Sequence, residues 1–310
     1  MKFALLCLSL FVFNSSSFAN DDFKSYKHPL YESFQEATGP QLASFASVEL
    51  KELTQNTKAV FYPFGGPDIV YPIKLFPHAN SYLLVGLEPR GKNKKNLKLP
   101  KNLDAQIDSL LRRSFFVTSN MGKIISHNDG VLPLFLGQIS TLGGEVIDVK
   151  YSSHSFGNSL EINFKYLGTD KKLTYVRTNL EDKSLSDEFL KFVKENNLFD
   201  TCMLKASSYS LHRDNFSKMR NFITENANLV LQDDSGIPIK YLSKDFKLHL
   251  FGNYLKPYGV EWKGYFQKDL FNVYQNEASK TEIPFCFGYG CRKNPVAIIV
   301  AARNIADIPK

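Results

Sequence analysis

Two short stretches of this chain hold residue types that chemistry at a sheet edge requires. In the first, the apolar run Ala59 to Phe64 ends at Gly65-Gly66-Pro67-Asp68, and a second apolar run, Ser81 to Leu87, ends at Glu88. Glycines just past a strand let the backbone approach a ligand, and a carboxylate ending the next strand can hold a ribose hydroxyl. Glu88 follows Asp68 by 20 residues, close to the spacing of a dinucleotide-binding unit. The G-x-G-x-x-G pattern itself is missing, and Pro72 falls early in the expected helix, tolerable only near its first turn. A plainer account, in which the glycines only permit a tight turn, stands beside the ligand-site reading. Gly65, Gly66 and Glu88 are thus candidate ligand contacts and Asp68 a candidate catalytic group.

The second stretch is Gln232-Asp233-Asp234-Ser235-Gly236, after the apolar run Leu229 to Gln232. Two carboxylates at a strand's end can bind a metal, act as acid and base, or anchor a polar ligand, with Ser235 as a further contact. Asp, Ser and Gly also build ordinary turns. Adjacent side chains on extended backbone point to opposite faces, so at most one of Asp233 and Asp234 is expected to face a cleft. His212, between a strand and the following helix, is the candidate general base; a solvated loop histidine is the alternative. None of the histidines forms H-E-x-x-H, and no G-x-S-x-G is present. Gly86 to Lys92 spells G-x-x-x-x-G-K, but Asn93 stands where a phosphate loop needs Ser or Thr and no helix signal follows. No metal or cofactor is assigned.

The elements that position these residues alternate between strand and helix. Leu103, Ile107, Leu110 and Leu111 mark one helix face, and Val131 to Leu142 is apolar nearly all round and stops at Gly143-Gly144. Leu160 to Tyr166 and Lys172 to Thr178 alternate apolar and polar residues about Gly168-Thr169-Asp170, predicting an antiparallel hairpin. Further on, Cys202 to Ala206, Lys247 to Tyr254, Pro284 to Tyr289 and Val296 to Ala301 are expected to continue the strands, with a helix carrying Phe266, Leu270 and Tyr274. With no Pro/Gly/Ser-rich linker and no repeat, residues 20–310 read as one α/β domain. Its expected sheet is mixed, mostly parallel and Rossmann-like, flanked by helices, with the hairpin as an insertion.

Residues 1–19 carry the marks of a secretory leader: Lys2, the apolar stretch Phe3 to Phe13, and Ser17-Phe18-Ala19 before Asn20. The apolar stretch is shorter than the roughly 18–20 residues that span a bilayer, and Cys7 lies too early to become a lipid-modified first residue. Cleavage leaves 291 of the 310 residues, lowers the net charge from +7 to +6, and leaves no transmembrane segment. The densest basic cluster, Arg90, Lys92, Lys94, Lys95, Lys98 and Lys101, has no interleaved aromatics and argues against a nucleic-acid reader. Cys202, Cys286 and Cys291 remain. Cys286 and Cys291 bracket a glycine-containing turn that can close as a disulfide in an oxidising compartment, whereas Cys202 lies in an apolar segment and reads as a buried thiol.

Four stretches, Tyr62-Pro63-Phe64-Gly65-Gly66-Pro67-Asp68, Tyr82 to Pro89, Ser210 to Phe216 and Gln232 to Pro238, include the strings Y-P-F-x-G-P-D, L-V-G-L-E-P and Q-D-D-S-G-I-P. With them, most of the chain resembles a family of exported bacterial proteins of unknown function. The resemblance implies an envelope or extracellular compartment and an α/β character, and no catalytic assignment. Ser often stands in that family where this chain has Gly65, so no essential hydroxyl is implied there. The expectation drawn is a periplasmic or secreted hydrolase-type enzyme acting on an envelope or extracellular substrate. Asp68, His212, Asp233 and Asp234 are its catalytic candidates. The alternative is a non-catalytic module that binds a small molecule or an envelope-derived ligand, or an envelope-interaction protein, on the same scaffold.

Overall fold

Val60, Phe61 and Tyr62 supply the branched and aromatic side chains that suit a strand packed on both faces, and they form the middle of the sheet. The computed structural model describes residues 14–17, 29, 32, 38–91, 103–116, 125, 130–276, 281–291 and 295–303. Along the chain, β1 (Asn14–Ser17) is followed by α1 (Thr38–Val48), the single turn α2 (Lys51–Thr54), β2 (Ala59–Tyr62), α3 (Val70–Leu75) and β3 (Ser81–Gly86). Next come α4 (Leu103–Arg113), α5 (Leu132–Thr141), and a meander of β4 (Glu145–His154), β5 (Gly157–Tyr166) and β6 (Thr169–Arg177). The remainder is α6 (Asp187–Glu195), β7 (Thr201–Leu204), α7 (Ser217–Asn226), β8 (Leu229–Gln232), β9 (Phe246–Gly252), α8 (Lys268–Asn276) and β10 (Ala297–Arg303).

These strands form one ten-stranded sheet in the order β1-β4-β5-β6-β3-β2-β7-β8-β10-β9. The protein is thus an α/β fold with a mixed sheet. Parallel pairing is confined to the five central strands, β6-β3-β2-β7-β8. Antiparallel pairs flank them: the meander on one side, and β10 inserted between β8 and β9 on the other. Periodicity marks a strand but carries no direction, which is why the antiparallel setting of β10 is absent from the sequence reading. The β5–β6 turn uses Leu167 and Gly168, both at positive φ (48° and 76°), the two-residue geometry that matches strand twist. β1 lies inside the segment read as a leader; cleavage before Asn20 would remove it and leave nine strands.

The central strands alternate their side chains between two cores, and a third, smaller cluster packs β9 and β10 against α8. Val60, Tyr82, Leu84, Met203 and Leu231 pack toward α1, α3, α4 and α5. Phe61, Leu83, Val85, Leu204 and Val230 pack toward α6 and α7. Residues Pro284 to Tyr289, expected as a strand, instead form an irregular turn closed by a single Phe287–Gly290 bridge. Pro284 lacks an amide donor and Gly288 sits at φ +58°, and both oppose a continuous ladder. Phe266 falls just before α8 rather than on it. Among the described residues, no helix is long and apolar enough to cross a membrane.

Candidate functional site

The chain leaves β2 through α3, which covers one face of the sheet, and leaves β7 through α7, which covers the other. Adjacent parallel strands whose connections part to opposite faces leave a crevice at their C-terminal ends. A cleft of about 490 Å³ opens there, within the roughly 300–1,000 Å³ typical of small-molecule sites. Its lining comes from the segments after β2, β3, β6 and β7, with Phe115, Tyr258, Trp262 and Tyr289 contributed by other loops.

Lys205 forms the floor. Strand alternation carries it on the same face as Met203, two residues earlier, and it ends 2 % exposed. Its Nζ lies 2.9 Å from Asp68 Oδ2, donates to the Ser114 carbonyl, and sits 4.1 Å from the centre of the Tyr71 ring. Burial pushes the ammonium pKa down, and the Asp68 carboxylate opposes that shift. Asp68 also accepts hydrogen bonds from the Tyr62 hydroxyl (3.2 Å) and the Tyr71 amide (3.3 Å). The pair therefore ties the β2 turn, the end of β7 and the segment after α4 into one unit. Sequence reasoning missed Lys205, because a lysine just past a strand usually reaches solvent.

Glu88 forms one wall. Gly66, at φ +55°, donates its amide to Val85, so the β2 turn folds over the end of β3. A Cβ at Gly66 would sit 3.6 Å from Glu88 Oε2, and one at Gly86 would overlap that oxygen; the carboxylate thus lies against bare backbone. The Tyr175 hydroxyl contacts both Glu88 Oε2 (3.1 Å) and the Glu88 carbonyl (2.9 Å). Among the described residues, no hydrogen bond reaches Oε1. Gly65 also lines the cleft, and a Cβ there would come within 2.6 Å of the Tyr62 ring, which a serine would have to displace.

The aspartates after β8 serve a different purpose. Asp233 Oδ2 accepts the amides of Ala206 and Tyr289, both at 3.1 Å, and Oδ1 accepts the amide and hydroxyl of Ser235. Ser235 Oγ in turn accepts the Ser207 amide at 2.8 Å. This network holds the loop after β7 in a tight shape, with Ala206, Ser208 and Tyr209 all near φ +52°. Asp234 points elsewhere and accepts the Tyr209 hydroxyl at 2.6 Å. Burial, and secondarily the neighbouring Asp233, push its carboxyl pKa up to about 7, while burial also raises Asp233.

The structure thus brings Gly65, Gly66, Asp68 and Glu88 into one cleft, whereas Asp233, Asp234, Ser235 and His212 are not among its lining residues. His212 packs edge-on against Tyr209 and Tyr265, its Nε2 without a hydrogen-bond partner among the described residues, and burial lowers its pKa to about 4. Ser207, a lining residue, has a buried Oγ that likewise has no hydrogen-bond partner among the described residues. Tyr258 and Tyr289 stack at 4.7 Å, and Phe115 meets Tyr289 edge-on at 5.0 Å, giving an aromatic rim assembled from three distant segments. Cys286 and Cys291 are joined in the turn that carries Tyr289, and Cys202 is a buried free thiol. Lys92 to Lys101 lie outside the described residues. Among the described residues, no group of three or more His, Cys, Asp or Glu could hold a metal ion. The chain matches no protein-family model and no curated protein.

Proposed function

We propose that this chain is an exported, Rossmann-like binding protein whose cleft takes one small polar ligand without chemical conversion. The observation that carries the reading is the cleft itself, at the point where the β2 and β7 connections part. It has a floor in which the Lys205 charge is already met by Asp68, an open carboxylate oxygen on Glu88, and an aromatic rim. Hydrolysis needs a base within hydrogen-bond reach of a nucleophile or its water. Of the four candidate groups, Asp68 is engaged by Lys205, Tyr62 and Tyr71, Asp233 is consumed by four hydrogen bonds, and Asp234 and His212 are outside the lining, so the binding reading is preferred over the hydrolase. Export, in this reading, rests on the leader and is in keeping with the Cys286–Cys291 pair.

Trp262 is the chain's single tryptophan and lines the cleft, so its fluorescence reports on occupancy. A panel of sugars, nucleosides, amino acids and short peptides titrated against residues 20–310 should contain a compound that both shifts Trp262 emission and raises the melting midpoint. Ser207→Phe, which fills the cleft, should abolish both responses. A panel in which no compound moves either signal would sink the proposal, as would a response unchanged in Ser207→Phe.

A further inference from the structure

We infer that the ligand is a ribonucleoside, uncharged or cationic at its 5′ end, anchored by its ribose diol on Glu88. This rests on the cleft being a ligand site. Each carboxylate oxygen has two acceptor positions, and at Glu88 only Oε2 is engaged among the described residues, by Tyr175. A vicinal diol matches that vacancy, because its two hydroxyls donate side by side to one carboxylate. Glu88 also stands where such an acid works in nucleoside sites, just past a strand and against the glycine turn of the neighbouring parallel strand. Leu87 beside it is 59 % exposed, and Phe64, Phe216 and Trp262 line the same cleft, offering apolar surface to a flat base.

The same turn has no provision for phosphate. In dinucleotide sites, free backbone amides at the glycine turn and the following helix receive the anion. Here the Gly65 and Gly66 amides donate to Tyr62 and Val85, Ile69 donates to Gln138 Oε1 at 3.0 Å, and Tyr71 donates to Asp68. Lys205, the one cation among the described lining residues, is committed to Asp68 and Ser114, against three acidic residues, Asp68, Glu88 and Glu261. A 5′-phosphate would therefore meet a carboxylate-rich lining at a turn whose two glycine amides are already engaged, and a neutral or positively charged 5′ group would avoid that repulsion.

The test is calorimetric and Trp262-fluorescence titration of residues 20–310 with adenosine, guanosine, cytidine, uridine and S-adenosylmethionine. Adenosine 5′-monophosphate and 2′,3′-dideoxyadenosine serve as comparisons, and each compound is run on wild type and Glu88→Gln. At least one ribonucleoside or S-adenosylmethionine should bind, with loss of the diol or of the Glu88 charge weakening it by about tenfold or more. Adenosine 5′-monophosphate should bind more weakly than adenosine. If no nucleoside binds while a sugar or peptide shifts Trp262 emission, the inference fails and the ligand site stands; if nothing binds, both fail. Equal binding of the dideoxy compound, or unchanged affinity in a folded Glu88→Gln, overturns the role given to Glu88. Tighter binding of the monophosphate overturns the exclusion of phosphate.

Discussion

A lysine and an aspartate buried together dictate how Asp68 responds to substitution. Removing one partner of a buried ion pair strands the other charge away from water, at a cost of about 3–5 kcal/mol. Asp68→Asn should therefore lower unfolding stability by that order in urea titrations, and Asp68→Asn combined with Lys205→Met, which keeps an acceptor oxygen for Tyr62 and Tyr71 while removing the stranded ammonium, should recover part of it. Failure of the double replacement to recover stability would show that the pair is not the source. Asp234 behaves differently, because its carboxyl pKa is raised in the folded state. Its stabilising contribution is fully present below the ordinary carboxylate range, near pH ~4, and is lost as pH rises through about 7. Asp234→Asn keeps an acceptor for Tyr209 and should flatten the decline in stability across that window. His212 acts in the opposite sense, its contribution being present above ~6.5 and lost as pH falls through about 4. Gly65, Gly66, Asp68 and Glu88 were legible in the sequence because their relation is local: strand, turn, helix, strand. Lys205 was not, nor was the use of Asp233 as a structural acceptor, because what buries or occupies them comes from Ser114, Ala206 and Tyr289, distant in the chain.

At the scale of elements, the turn holding Cys286 and Cys291 shows how a segment without regular structure shapes the cleft. Tyr71 donates to the Cys286 carbonyl at 3.0 Å, and the Tyr289 amide donates to Asp233, so the turn is held at two points, by α3 and by the loop after β8. Gly288 lies between those anchors at φ +58°, and a Cβ there would overlap Asp233 Oδ2. Gly288→Ala should cost about 1–3 kcal/mol from backbone strain alone and displace Tyr289 from Tyr258. Denaturant melts and the emission of Trp262 would measure the two effects; an unchanged midpoint would mean the turn relaxes freely. Amphipathic helices were plain from sequence, as the buried Leu103, Ile107, Leu110 and Leu111 of α4 illustrate. The alternating β5 and β6 were equally plain. Pro284 to Tyr289 was misread because apolar content alone does not distinguish a strand from a buried turn.

Across the whole molecule, α/β alternation was legible while the sheet's two antiparallel flanks were only half visible, since pairing direction depends on where distant strands meet. The proposed reading of residues 1–19 as a leader makes a separate prediction. Intact-mass analysis of the protein recovered from an exporting host should match a chain beginning at Asn20; retention of residues 1–19 would leave β1 on the sheet edge and remove the basis for assigning export. The placement of β10 has a further bearing on how the molecule is made. It pairs with both β8 and β9, which do not touch each other as strands. A chain delivered N-terminus first therefore holds two bare ladder edges until residues 297–303 arrive, so that flank of the sheet closes late and has nothing to fold onto while the rest is still in transit.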